Sequence, residues 1–194
     1  MLRAAESFTG YVQIDIMDGR FVPSHSVTFQ DVAQAKPKLD WEVHLMVKDP
    51  EEQLKGFKEA GAARAIFHLE AAPSADNTIK QVKALGMQVG IAINPETPAS
   101  AVQRFLRSLD SVLFLSVNPG FYGAPFIPEV LDKVRELRKL APGLEIGIDG
   151  GMKGSNVAEA VRAGATSVCV GSAIFRAPEP AAAFRELQKT AESA

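Results

Sequence analysis

The sequence predicts an α/β fold in which parallel strands curl into a barrel with helices on its outside. Three observations carry the prediction. Seven short β-branched runs alternate with longer helical patterns, the mark of repeated βαβ units. Within the runs one parity is fully apolar and the other small or polar, whereas a doubly wound sheet covered on both faces would be apolar on both. The polar parity also places ionisable residues late in their strands, where barrel active sites lie.

Taken in order, residues 1–9 read as the tail of a helix, and the first strand spans 11–17. There Val12, Ile14 and Ile16 face the helices, while Gln13, Asp15 and Met17 face inward. In the second strand, 41–47, Val43, Leu45 and Val47 oppose Glu42, His44 and Met46. Asp49-Pro50-Glu51-Glu52 reads as an N-cap, a first-turn proline and a capping-box acid, opening a helix that ends at Gly61. Strands at 64–69 and 88–94 follow, with Gly86 as a helix stop between them. Thr97-Pro98 opens the next helix, ahead of a strand at 111–118. A glycine turn then leads into a helix over about 127–140. The sixth strand, 145–149, sets Leu144, Ile146 and Ile148 against Glu145, Gly147 and Asp149. Gly164 ends the last long helical pattern before the strand at 167–171.

The 194 residues fit one domain, 1–194, and 46% hydrophobic with 23% charged residues excludes a disordered chain. A net charge of −2 gives no reason to expect nucleic acid or anionic lipid as partner. No apolar run approaches the ~20 residues of a membrane span, and no signal-peptide core is visible at residue 1. The single cysteine, Cys169, rules out an intramolecular disulfide and suits the cytoplasm. A (β/α)₈ barrel needs eight strands, so the first strand and most of its helix are expected to be missing from this chain.

Chemistry concentrates at the strand ends. Asp15, His44 and Asp149 converge at one depth of the barrel from three different strands. Two carboxylates and an imidazole so placed suit proton transfer, metal binding, or both. Taken singly each has a plainer reading: Asp15 as a helix cap, His44 as a core histidine, Asp149 as part of a turn. His68 is read as a structural core residue. A second group of motifs suggests anion binding. Asn118-Pro119-Gly120-Phe121-Tyr122-Gly123 runs from a strand toward a helix, and Gly150-Gly151 and Gly171-Ser172 stand on the last two strands. Glycine turns let backbone N–H groups point at a phosphate, and the last two βα loops of such barrels are a frequent phosphate site.

Together the motifs resemble the ribulose-phosphate 3-epimerase family, whose barrel is of the ribulose-phosphate-binding type. The resemblance rests on Asp15-Ile16-Met17-Asp18-Gly19-Arg20-Phe21-Val22-Pro23, Val43-His44-Leu45-Met46-Val47, Phe67-His68-Leu69-Glu70-Ala71, Pro119-Gly120-Phe121-Tyr122-Gly123, Ile148-Asp149-Gly150-Gly151 and Val170-Gly171-Ser172-Ala173-Ile174-Phe175, in the family's order. It implies C3 epimerisation of a ketose phosphate, D-ribulose 5-phosphate above all, with Asp15 and Asp149 as the acid/base pair. It also implies a divalent metal (Zn, Fe, Mn, Co or Mg) on Asp15, His44 and Asp149, with Met17 and Met46 beside it. His44, Gly120, Phe121, Tyr122, Gly123, Gly150, Gly151, Gly171 and Ser172 would hold the sugar phosphate. A homo-oligomer is implied as well.

Three departures from the family pattern stand out. Gln13 occupies the place of the family's first metal-ligating histidine, which implies either a reduced metal affinity or a preference moved toward manganese or magnesium. Tyr122 and Ala124 replace residues of the family's Gly-Phe-Gly-Gly-Gln loop. The strand that would carry a substrate-touching serine is the one expected to be missing. Two other readings compete. A decarboxylase or aldol-type synthase on the same barrel needs Asp-x-Lys-x-x-Asp, and Met17 stands where the lysine would be. A barrel that binds a sugar phosphate without turning it over is the third.

Overall fold

A computed structural model describes residues 1–120 and 124–194. Its seven strands, β1 (Tyr11–Met17), β2 (Asp40–Met46), β3 (Arg64–His68), β4 (Gln88–Ile93), β5 (Ser111–Leu115), β6 (Glu145–Asp149) and β7 (Ser167–Cys169), form one parallel sheet in sequential order. Sequential parallel pairing with a helix after each strand curls the sheet into a nearly closed barrel. No ladder joins β7 to β1 among the described residues, but the Cys169 thiol reaches the Gln13 amide oxygen at 3.1 Å.

Residues 1–9 hold a short helix, α1 (Leu2–Ala5), as their composition predicts. The remaining helices are α2 (Phe29–Ala35), α3 (Glu51–Glu59), α4 (Ala75–Ala84), α5 (Val130–Leu140), α6 (Val157–Ala163), α7 (Ser172–Phe175) and α8 (Pro180–Glu192). A 3₁₀ helix, Ala99–Ser108, stands between β4 and β5 where Thr97-Pro98 predicted an α-helix. Its buried residues, Ala99, Val102 and Phe105, are three apart, so a three-residue turn puts all of them on one face. No helix among the described residues is long and apolar enough to cross a membrane.

The alternating parity is realised as two apolar layers. Ile14, Val43, Leu45, Phe67, Ile91, Phe114 and Ile148 point outward into the main core beneath the helices. Inside the barrel a smaller cluster of Ile66, Ala92, Leu113, Leu115 and Val117 fills the waist. Gly147 makes that filling possible, since a Cβ there would lie 2.8 Å from Leu113 Cδ1. Below the waist, at the strand N-termini, Arg64 plugs the barrel. Its guanidinium takes Glu145 at 2.6 and 2.8 Å, Glu42 at 3.0 Å and the Gln88 amide at 2.9 Å. Burial raises the Glu42 pKa, and Tyr11 answers by donating its hydroxyl to the same carboxylate at 3.1 Å. The polar residues at the bottom are therefore committed to structure, leaving the opposite end for chemistry.

Several predicted boundaries move. Val47, Leu69, Asn94, Val117 and Gly171 lie past their strands because the backbone has already turned into the βα loops. The Ser116 N–H, donating to the Asp149 carbonyl at 2.7 Å, closes the last pairing of β5 with β6, that of Leu115 with Asp149. The helix expected from 127 begins at Val130. Asp49 does not cap α3: it adopts φ +53°, and its carboxylate turns away to Arg20 at 3.4 Å. Helix ends at Gly86 and Gly164 are as predicted, with φ +71° and +113°.

Candidate active site

Parallel registration brings the site together. Asp15 pairs with His44 across β1 and β2, and Asp149 with Cys169 across β6 and β7. One inward step further along, Met17 pairs with Met46, placing both at the mouth. Asp15 Oδ1 lies 3.1 Å and Asp149 Oδ2 3.6 Å from His44 Nδ1, so both carboxylates face the same ring nitrogen. The His44 side chain is fully buried, Asp149 is 18% exposed and Asp15 46%, so the imidazole forms the floor and Asp15 the rim.

These burials set the charges. Desolvation and the neighbouring Asp15 charge push the Asp149 carboxyl up from its ordinary value, against the hydrogen bonds from His44 and Gln13. Burial alone would lower the His44 pKa, but Asp149 and Asp15 outweigh it and raise it to about 9. Burial holds the Cys169 thiol protonated, so it donates to the Gln13 amide oxygen.

Gln13 is at the centre of the group rather than beside it. Its Nε2 donates to Asp15 Oδ1 and to Asp149 Oδ2, both at 2.9 Å. The amide hydrogens thus stand where the two carboxylates attract positive charge. Asp15, His44 and Asp149 each offer a ligand atom within 4.8 Å of the others. Two carboxylate oxygens and an imidazole nitrogen around a point already taken by a donor fit a divalent cation. Rotating the Gln13 carboxamide would turn its oxygen to the same point.

Four supports lie beyond the sequence reading. His68 is buried as expected of a core residue, yet its Nε2 lies 3.0 Å from His44 Nε2. Phe21 covers the His68 ring at 4.8 Å, which gives the Asp18–Pro23 motif a role beyond its turn. Asp18 shapes that turn by accepting from the Arg20, Phe21 and Lys48 N–H groups, which lower its pKa despite partial burial. Ser116 ties down the end of β6, its hydroxyl donating to the Asp149 and Gly150 carbonyls at 2.9 and 2.7 Å. Two signals were available for these: the inward parity of His68, and the Phe21 of a motif already singled out. No pattern in the sequence marks Ser116.

Of the glycine turns, Gly150 and Gly151 take φ +114° and +64°, and a Cβ at Gly151 would lie 2.9 Å from the Phe126 backbone nitrogen. Gly171 and Ser172 open α7 beside them. Gly120, φ +96°, packs against Val22, and its carbonyl accepts from the Ser24 hydroxyl. Phe121, Tyr122 and Gly123 lie outside the described residues.

Comparison with known proteins agrees with this geometry. Residues 2–175 match the ribulose-phosphate 3 epimerase family. The chain is 39% identical over 187 residues to ribulose-phosphate 3-epimerase of Synechocystis sp., covering 92% of this chain and 81% of that one. It is 38% identical over 186 residues to the Aquifex aeolicus enzyme of the same name, covering 93% and 84%. Among solved structures, KGPDC from Streptococcus mutans superposes with a TM-score of 0.73 at 14% identity, over 98% of this chain and 90% of that one. That last likeness concerns the fold alone.

Proposed function

The chain belongs to the ribulose-phosphate 3 epimerase family, and from that premise we propose that it interconverts D-ribulose 5-phosphate and D-xylulose 5-phosphate. The observation that carries the reading is the convergence of Asp15 and Asp149, from different strands, on one point at the barrel mouth. Inverting a carbon beside a ketone requires a proton to leave one face and another to arrive on the other. A single carboxylate reaches only one face, so two are needed. In this reading one of the pair takes the C3 proton while the other delivers its replacement.

Asp15, His44 and Asp149 would hold a divalent ion, with Gln13 as a further, weaker ligand through its amide oxygen. When bound, such an ion supplies positive charge against the enediolate that proton removal creates. Gly120, Phe121, Tyr122, Gly123, Gly150, Gly151, Gly171 and Ser172 would hold the substrate and its phosphate, away from the reacting carbon. The composition agrees with a single cytoplasmic domain, and the family membership supports assembly as a homo-oligomer.

A proton NMR time course with D-ribulose 5-phosphate in D₂O tests the reading. Loss of the C3 proton signal with growth of xylulose 5-phosphate is expected, slowed strongly by a chelator and restored by added Mn²⁺. Dispersed protein methyl signals without any exchange at C3 would overturn it in favour of a non-catalytic binder. Gln13→His is expected to tighten Zn²⁺ about tenfold or more in a competition titration, because imidazole is the better zinc ligand. Unchanged affinity would place Gln13 outside the metal's reach.

A further inference from the structure

A line of polar side chains leads sideways from the site, through His68 at the end of β3, to Glu70 in the loop that follows that strand. His44 Nε2 lies 3.0 Å from His68 Nε2, and His68 Nδ1 lies 3.4 Å from Glu70 Oε2. The His44 and His68 ring planes are only 24° apart with centroids separated by 5.1 Å, the geometry of an in-plane N–H···N bond rather than of face-to-face stacking. Both histidine side chains are fully buried, so no water competes for these nitrogens.

Hydrogen-bond polarity along this line permits one arrangement. Glu70 Oε1 accepts from the Asn94 N–H at 2.9 Å and from the Thr97 hydroxyl, two donors that stabilise an ionised carboxylate. An ionised Glu70 is acceptor-only, so the His68 nitrogen facing it, Nδ1, must carry the hydrogen. Fully buried and facing a single carboxylate, His68 holds its one hydrogen toward that carboxylate and stays neutral. Its Nε2 is then a bare lone pair, and the bond at 3.0 Å exists only if His44 Nε2 supplies the hydrogen. The remaining His44 nitrogen, Nδ1, is the one that faces Asp15 and Asp149.

We propose that Glu70 is a positioning residue: acting through His68, it holds His44 with its hydrogen on Nε2 and so reserves Nδ1 for a divalent cation between Asp15 and Asp149. A metal-bound histidine commonly donates its second N–H directly to a carboxylate or carbonyl, which sets both tautomer and ring orientation. In this chain a second imidazole is interposed, and the carboxylate acts one ring further away. The consequence for metal affinity rests on the metal reading above; the tautomers do not.

Long-range ¹H–¹⁵N correlation spectra of histidine-labelled, metal-free protein test the inference, and with three histidines in the chain each ring can be assigned. His68 is expected with its hydrogen on Nδ1, and a wild-type His68 protonated on Nε2 would overturn the proposal without any variant. Glu70→Gln keeps an oxygen for Asn94 and Thr97 but turns an amide N–H toward His68. It is expected to move the His68 hydrogen to Nε2 and to weaken Zn²⁺ binding about 10- to 100-fold, with the far-ultraviolet circular dichroism unchanged. Weaker Zn²⁺ binding with the His68 tautomer unmoved would reduce Glu70 to a packing role, and a switched tautomer with full Zn²⁺ affinity would break the coupling. Wild-type protein that bound no Zn²⁺ would count against the metal reading, while the His68 tautomer would still decide the assignment of Glu70.

Discussion

Asp15→Asn and Asp149→Asn are each expected to lower kcat for epimerisation by about 10³-fold or more while leaving sugar-phosphate affinity within a few-fold of wild type. The magnitude follows from removing a proton-transfer group from a two-carboxylate reaction, in which each such group is worth roughly 10²–10⁴. Asparagine preserves the shape of the side chain and most of its hydrogen bonding but cannot take or give the C3 proton. Asp15 accepts the Gln13 amide at 2.9 Å and Asp149 does the same, so each variant also disturbs the amide between them. Zn²⁺ affinity should therefore be measured beside kcat. A two-carboxylate mechanism leaves a signature that loss of metal does not imitate. The surviving carboxylate can still exchange the C3 proton of one epimer with D₂O without inverting it. Near-normal turnover in both variants would remove Asp15 and Asp149 from the reaction.

Arg64→Met should cost about 3–5 kcal/mol of folding stability, read from the urea midpoint, the cost typical of breaking a buried ion pair from one side. Arg64 and Glu42 side chains are 8% and 5% exposed, and the guanidinium serves Glu42, Glu145 and Gln88 at once. Removing the cation leaves Glu42 buried without its ion-pair partner, which is far more costly than the pair itself is stabilising. Arg64→Met combined with Glu42→Gln should recover a substantial part of the loss, because the stranded charge is gone. A single-variant loss below about 1 kcal/mol, the range of an exposed pair, would show that water reaches this end of the barrel and that the plug contributes little. The plug also has a functional side. It closes the bottom with side chains committed to one another, so among the described residues the convergent ionisable group with a free approach is the one at the top.

Much of this was legible from residue order alone. Parity in the strand runs separates Ile14, Val43 and Ile148, which face the helices, from Asp15, His44 and Asp149, which face inward, because a strand's side chains alternate from one face to the other. Gly86 and Gly164 mark helix ends because few other residues adopt positive φ cheaply, and both do so in the structure. Local signals failed where a tertiary partner was stronger. Asp49 has the type and spacing of a cap, but its backbone turns left-handed and its carboxylate goes to Arg20. Strand ends were overrun at Leu69 and Val117 because apolar residues continue past the point where the ladder stops.

The sequence by itself thus determined the barrel, the end that bears chemistry and the identity of the two carboxylates and the histidine between them. Only the tertiary structure decided what stands among them. Alternation specifies which face of the sheet a side chain takes; it carries no information on which residues of distant strands meet across the interior. That depends on strand register and on the curvature of the closed sheet. For this reason Gln13 was readable as an inward residue, but not as the amide that bridges Asp15 and Asp149. His68 was readable as a core histidine, but its place behind His44, with Glu70 behind it in turn, appears only once β2 and β3 are paired.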